Sequence, residues 1–334
     1  MTAVLQVESL SVRFAARSGP WSSGRWLVAV DSAGFSLARG ETLGIVGESG
    51  CGKSTLGRAL LGLVHPCAGS VRLNGERLDR ATGAGLRRLR RHAQMVFQDP
   101  QGSLDPRMTV GQSVAEPLAI FEPGLSGAEL RARVAEALVQ VGLAPAHAER
   151  YPHEFSGGQC QRVGIARAAI LRPSVIVCDE PVSALDVSVQ GQVINLLSRL
   201  QDDLGLAYVL ISHNLAVVRH LSTRVLVMYL GRTMEQGPRD SLYSGPLHPY
   251  TRALLDAVPP PDPVEARRQR APVAGDLPSP LDPPAGCVFN TRCPFAQSHC
   301  REARPGLEEA RPGHLVACHR WREWPGGLVS ARRS

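Results

Sequence analysis

The sequence predicts an α/β fold with a mostly parallel core sheet, a helical insert and a loop-rich C-terminal extension that contains cysteines. Three observations carry this. Short apolar runs alternate with helical stretches from the N-terminus to about residue 235. Between residues 111 and 150 strand signals give way to helical periodicity, as in 128–142. From Pro246 onward prolines cluster, at Pro259-Pro260-Pro261 and again between Pro278 and Pro284, and periodicity fades. The boundaries are set at residues 1–245 for the α/β domain, with the helical subdomain at roughly 108–170, and 246–334 for the extension.

The strands are read at Thr42–Val46, 94–97, 175–178, Ala207–Ile211 and Arg224–Tyr229, all short and rich in β-branched residues. The first runs into Gly47-Glu48-Ser49-Gly50-Cys51-Gly52-Lys53-Ser54-Thr55, and a helix is expected over 55–61. Of the 37 Lys and Arg residues, Lys53 is the sole lysine. An arginine-biased chain that keeps one lysine keeps it where a compact ammonium is needed. The segment fits G-x-x-x-x-G-K-S/T, a phosphate loop. In such a loop backbone N–H groups face the α/β-phosphates, Lys53 reaches the β/γ-phosphates and Ser54 ligates Mg²⁺. Gly47, Ser49, Gly50, Cys51, Gly52, Lys53, Ser54 and Thr55 are therefore assigned to nucleotide binding.

The strand at 175–178 ends in Asp179-Glu180. A carboxylate at a strand end beside a phosphate loop can hold Mg²⁺, the role given to Asp179, and Glu180 is placed to polarise an attacking water. Ser156-Gly157-Gly158-Gln159 opens a helix, where free N–H groups, a helix dipole and a hydroxyl together favour an anion.

Composition is that of a globular chain, 43% hydrophobic and 20% charged. The net charge of +7 is spread along the chain, so it reads as an arginine-biased surface and not as a nucleic-acid footprint. The densest cluster, Arg87-Arg88-Leu89-Arg90-Arg91, reads as a solvated face. No apolar run reaches the roughly 18 residues of a membrane span and no signal-peptide pattern opens the chain, so a cytosolic or peripheral protein with reduced cysteines is expected.

Phe155-Ser156-Gly157-Gly158-Gln159, with the phosphate loop before it and Asp179-Glu180 after it, resembles the signature motif of the ATPase subunits of ABC transporters, with Phe in place of the usual Leu. Other elements of that family resemble this chain in the same order. Gln98 resembles the Q-loop glutamine, which contacts Mg²⁺ or the attacking water. Asp186, in Ser183-Ala184-Leu185-Asp186, resembles the D-loop. His213 resembles the switch histidine at the γ-phosphate. Phe14 takes the place of the adenine-stacking aromatic, with Trp21 and Trp26 close behind in an insertion.

The resemblance implies a P-loop NTPase fold with an N-terminal antiparallel β part. It implies catalytic roles for Glu180, His213, Gln98 and Lys53, with ATP and Mg²⁺ as cofactors and Ser54, Gln98 and Asp179 around the metal. It also implies a head-to-tail pair of ATPase subunits, in which Ser156 and Gly158 of one close over ATP on the other. Segments such as Phe97-Gln98-Asp99-Pro100 and His248-Pro249-Tyr250-Thr251-Arg252 resemble the oligopeptide/dipeptide importer branch, in particular the second ATPase of its pair. The implied setting is the cytoplasmic face of the cell membrane, without nucleic acid. The implied partners are a second, non-identical ATPase, two permease subunits contacted through residues 108–152, and an extracytoplasmic solute-binding protein. Related importers carry nickel or other solutes. A soluble ABC ATPase of DNA repair or translation is a further alternative, set against the single cassette and the lack of a heptad run.

Cys287, Cys293, Cys300 and Cys318 cluster in the extension, with intervals of five, six and seventeen residues. Four clustered thiols in a reduced compartment point to a metal, although the intervals match neither C-x₂-C zinc spacing nor a ferredoxin run. Members of the branch with this tail pattern hold a 4Fe–4S cluster, so the resemblance implies one here. Zinc and no metal stay open, and His299, His314 and His319 read as surface histidines.

Overall fold

Strands that are apolar at every position must be covered on both faces, which is how a parallel sheet is buried. The computed structural model describes residues 3–16, 25–258 and 275–324. Trp21 and the Pro259-Pro260-Pro261 run lie outside the described residues. Strands β3 (Thr42–Val46), β7 (Val175–Asp179) and β8 (Ala207–Ile211) are buried at all positions. With β6 (Ala93–Val96), β9 (Arg224–Tyr229), β10 (Arg232–Pro238), β11 (Glu308–Arg311) and β12 (His314–Val316) they form an eight-stranded sheet ordered β11-β12-β10-β9-β3-β8-β7-β6. The pairs from β9 to β6 are parallel, and those from β9 out to β11 antiparallel. A second, antiparallel sheet joins β2 (Arg25–Ala38), β1 (Ala3–Ala16), β4 (Ala68–Leu73) and β5 (Glu76–Arg77) in that order.

Alternating side chains of the large sheet feed two cores, as the two-residue period of a strand requires. Leu43, Ile45, Val175, Val177, Val209 and Ile211 pack against the antiparallel sheet and helix α1 (Lys53–Leu60). Val46, Ile176, Cys178, Tyr208, Leu210 and Val227 belong to the opposite core, with the remaining helices.

Helices α3 (Val110–Phe121), α4 (Gly127–Gln140) and α5 (Gly157–Ala169) lie between β6 and β7 in the chain and pack on one another. Each opens on a capping box, Thr109 with Gln112, Ser126 with Glu129 and Ser156 with Gln159. The basic cluster closes α2 (Gly83–Arg90) and is more than a solvated face. Leu89 is buried, Arg90 donates to the carbonyls of Leu61 and Gly62, and Arg87 and Arg91 reach Ile120 O and Glu122 on the helical insert. Among the described residues, helices α6 (Val187–Leu204), α7 (Leu215–Leu221) and α8 (Arg239–Ser244) complete the α/β part, and α9 (Pro249–Asp256) and α10 (Ser298–Glu302) lie in the extension.

The extension adds β11 and β12 to the edge of the large sheet, with Val316 opposite Glu235. Here the expectation of a surface His314 is overturned. Both His314 and Glu235 are fully buried, with His314 Nε2 2.7 Å from Glu235 Oε1. The carboxylate also accepts from the N–H groups of Leu247 (2.7 Å) and His248 (2.9 Å). A buried carboxylate needs this many donors, and the imidazole, itself bonded to Ser241 Oγ, supplies the one the backbone cannot. Among the described residues no helix is long and apolar enough to cross a membrane.

Candidate active site

Strand β3 ends at Val46 and the chain turns through the glycines into α1. Two of these glycines are compelled. At Gly47 (φ 153°) a Cβ would lie 2.2 Å from Met228 O, and at Gly52 (φ 103°) 1.9 Å from Ala29 O. The helix starts at Lys53, two residues before the expected position, because its first turn carries the free N–H groups of the loop. Lys53 is buried, and its Nζ donates to Gly47 O (2.8 Å) and Glu48 O (2.9 Å). Cys51 is buried beside it, and burial pushes its thiol up, so it serves as packing. The Ser54 hydroxyl donates to Asp179 Oδ1 at 2.9 Å. Burial pushes the Asp179 carboxyl up, opposed by Ser54 and by the charges of Arg58 and Lys53. A divalent cation beside this pair would hold the carboxylate ionised.

Glu180 follows β7 in a left-handed conformation, φ 48°, with its N–H donating to Ile211 O (2.8 Å). From that turn its carboxylate meets two side chains. Oε2 accepts from Gln98 Nε2 at 3.1 Å, and Oε1 lies 3.2 Å from His213 Nδ1. Gln98 follows β6 and His213 follows β8, the two strands that flank β7.

One cavity of about 670 Å³ gathers Phe14, Ser49, Gly50, Gly52, Lys53, Ser54, Thr55, Gln98, Glu180 and His213. Its volume and its basic, amide-rich floor fit a nucleoside triphosphate, and the Ser54–Asp179 pair at its edge fits Mg²⁺. The apolar end combines Phe14 with Leu27, Val28 and Ala29. Trp26 is 60% exposed and outside the cavity. Sequence reasoning missed Leu27, Val28, Ala29, Leu230, Gly231 and Pro280, which also line it. As ordinary apolar, glycine and proline residues, they carry no local signal.

Other assigned residues lie elsewhere. Ser156, Gly157, Gly158, Gln159 and Asp186 do not line this cavity. The Ser156 loop packs instead against Leu185 and Val189, where a Cβ on Gly158 would meet Val189 Cγ1 at 2.5 Å. Asp186 precedes α6 and is exposed, and Val187 beside it is 85% exposed.

In the extension Cys287, Cys293, Cys300 and Cys318 line one small cavity of about 20 Å³, with His319 on its wall. Burial, then the other thiols, push Cys293 up to about 11 and Cys318 up to about 12. Among the described residues no three His, Cys, Asp or Glu side chains stand close enough to grip a single metal ion.

A phosphate loop, a hydroxyl–carboxylate pair for Mg²⁺ and an acid held between an amide and an imidazole define an ATP-hydrolysing enzyme on a P-loop scaffold. The comparisons agree. Residues 30–183 match the ABC transporter family and residues 234–300 the oligopeptide/dipeptide transporter C-terminal region. The chain is 52% identical to the oligopeptide transport ATP-binding protein OppF of Salmonella typhimurium, over 94% of this chain and 95% of that protein. It is 51% identical to the putative oligopeptide transport ATP-binding protein YkfD of Bacillus subtilis, over 96% of each. Among solved structures, the ATP-binding cassette MJ0796, dimeric with ADP and phosphate, aligns with a TM-score of 0.63 at 28% identity, over 70% of this chain and 98% of that one. CbiO1 of Clostridium perfringens aligns at 0.63 and 29%, over 73% and 91%. The chain belongs to the ABC transporter ATP-binding proteins, in their oligopeptide/dipeptide branch.

Proposed function

We propose that this chain hydrolyses ATP to power peptide uptake through a membrane importer, as one half of a head-to-tail pair of ATPase subunits. The observation that carries the pairing is the separation of the phosphate loop from Ser156–Gly158 within one chain. The helix start at Ser156 lies outside that cavity and needs its anion from elsewhere, and the apolar, exposed Val187 beside Asp186 needs a cover. A second subunit turned head to tail supplies both. Because the branch works with two ATPases, that subunit is proposed to be a different chain. Two permeases contacted through residues 108–152 and an extracytoplasmic binding protein complete the complex at the cytoplasmic face of the membrane. The cassette is proposed as residues 1–245 and the extension as 246–334.

In the proposed reaction Lys53 and the loop N–H groups hold the β/γ-phosphates, and Phe14 stacks on the base. Ser54, Asp179 and Gln98 would hold Mg²⁺, which when bound would neutralise phosphate charge. Glu180, oriented by Gln98 and His213, takes a proton from the attacking water, and His213 donates toward the γ-phosphate. Positioning and electrostatics supply most of the acceleration. The four cysteines are proposed to hold a 4Fe–4S cluster, with zinc as the alternative, supported by their convergence on one cavity.

The test is reconstitution with the permeases and binding protein in vesicles, followed by ATP-dependent uptake of a labelled tripeptide and of Ni²⁺. Peptide uptake abolished by Lys53→Ala supports the reading. Ni²⁺ uptake without peptide uptake overturns the substrate class.

A further inference from the structure

Glu48 places a carboxylate inside a loop built to receive phosphates, where its charge opposes the ligand. The extension answers that charge. Arg292 Nη1 donates to both Glu48 oxygens, at 3.1 and 2.8 Å, and to Tyr229 Oη at 3.3 Å. Only 7% of the Arg292 side chain is exposed, and its guanidinium lies 5.8 Å from the centre of the Tyr229 ring. The same Glu48 donates its N–H to Tyr250 Oη (2.8 Å) and offers its carbonyl to Lys53 Nζ (2.9 Å). The two tyrosines are locked by Phe289, whose ring centre lies 5.3 Å from each. Glu48 is thus fixed through side chain, N–H and carbonyl, and the partners of the first two, Arg292 and Tyr250, lie outside the phosphate loop. Independently, Pro280 of the extension lines the nucleotide cavity.

We infer that Arg292 is a positioning residue for nucleotide binding: acting through the Glu48 carboxylate, it offsets a negative charge in the phosphate loop and holds the loop in its receiving geometry. The extension is then part of the ATP site, beyond any docking or metal-holding role. This rests on the ATP-binding reading above. A permanently charged guanidinium suits the task, because one nitrogen reaches both carboxylate oxygens while its face rests on an aromatic ring.

The experiment uses the full chain, with steady-state ATP hydrolysis and equilibrium binding of a fluorescent ATP analogue. Arg292→Met should raise KM and Kd about tenfold while kcat stays within about twofold. Arg292→Lys, which keeps the charge, should recover affinity to within about threefold of wild type. In a Glu48→Gln background Arg292→Met should cost less than about twofold, since no charge is left to offset. Wild-type Kd in Arg292→Met overturns the inference. So does an undiminished tenfold loss in the Glu48→Gln background, which would place the effect in the fold of the extension. If Arg292→Met fails to fold, Arg292→Gln is read by the same criteria. Lys53→Ala separates the two levels: normal ATP binding by that variant removes the underlying reading, whereas its loss with normal binding by Arg292→Met removes this inference alone.

Discussion

Replacing Glu180 by Gln exchanges one oxygen for an NH₂ and leaves the shape intact. The wild-type carboxylate has Gln98 Nε2 at 3.1 Å on one oxygen and His213 Nδ1 at 3.2 Å on the other. An amide serves both neighbours, accepting from Gln98 and donating to the imidazole nitrogen. Stability should therefore stay within about 0.5 kcal/mol of wild type. What disappears is the proton acceptor. Loss of a general base costs about 10²–10⁴ in rate, or about 2.7–5.4 kcal/mol on the barrier. ATP affinity should hold or rise, because a negative charge near the phosphates is removed. Phosphate release gives the turnover, a fluorescent nucleotide the affinity, and size-exclusion chromatography with ATP the accumulation of a closed pair. Turnover within tenfold of wild type at unchanged affinity would refute the role given to Glu180.

The remaining predictions concern the loop, the pairing, the cysteines and the dock of the extension. Lys53→Ala should weaken ATP binding at least about tenfold and reduce turnover to background, because charge-assisted bonds to phosphate are lost; unchanged turnover would remove the phosphate-loop role. Ser156→Arg should keep nucleotide binding, lose about 1 kcal/mol with its helix cap, and stop hydrolysis by filling the interface; surviving hydrolysis would reject the shared site. Protein purified without oxygen should carry iron and sulfide in equal amounts, lost in Cys293→Ser. Zinc alone would make the site a structural staple, and no metal would leave an interaction segment. His314→Leu strips the buried Glu235 of its imidazole and should cost about 3–5 kcal/mol by urea unfolding, as when one partner of a buried pair is removed. A loss below about 1 kcal/mol would show that the extension does not depend on this pair.

What the sequence by itself determined is what short-range geometry encodes. A buried β3 followed by glycines and one lysine has few backbone solutions, and a glycine turn running into a helix is the one read, although that helix begins at Lys53 and not at residue 55. The same holds for Ser156 with Gln159, a capping box complete within four residues. The boundaries of β3, β8 and β9 match their expected ranges for a similar reason, since uninterrupted apolar runs between polar turns leave little choice. That Gln98, Glu180 and His213 would share one site was read only through their resemblance to family motifs. The tertiary structure shows the physical cause, because parallel strands with β7 between β6 and β8 end at one edge and bring together residues 82 positions apart.

Only the tertiary structure decided the rest. Nothing near His314 in the sequence distinguishes a surface histidine from one that satisfies Glu235, 79 residues away. Nothing near Arg292 announces Glu48, 244 residues away. Both pairs exist because burying a carboxylate is costly without donors, and which donors arrive depends on how the extension folds back onto the edge of the sheet. A side chain carries its charge and hydrogen-bonding capacity in the sequence, but its long-range partner is selected by packing.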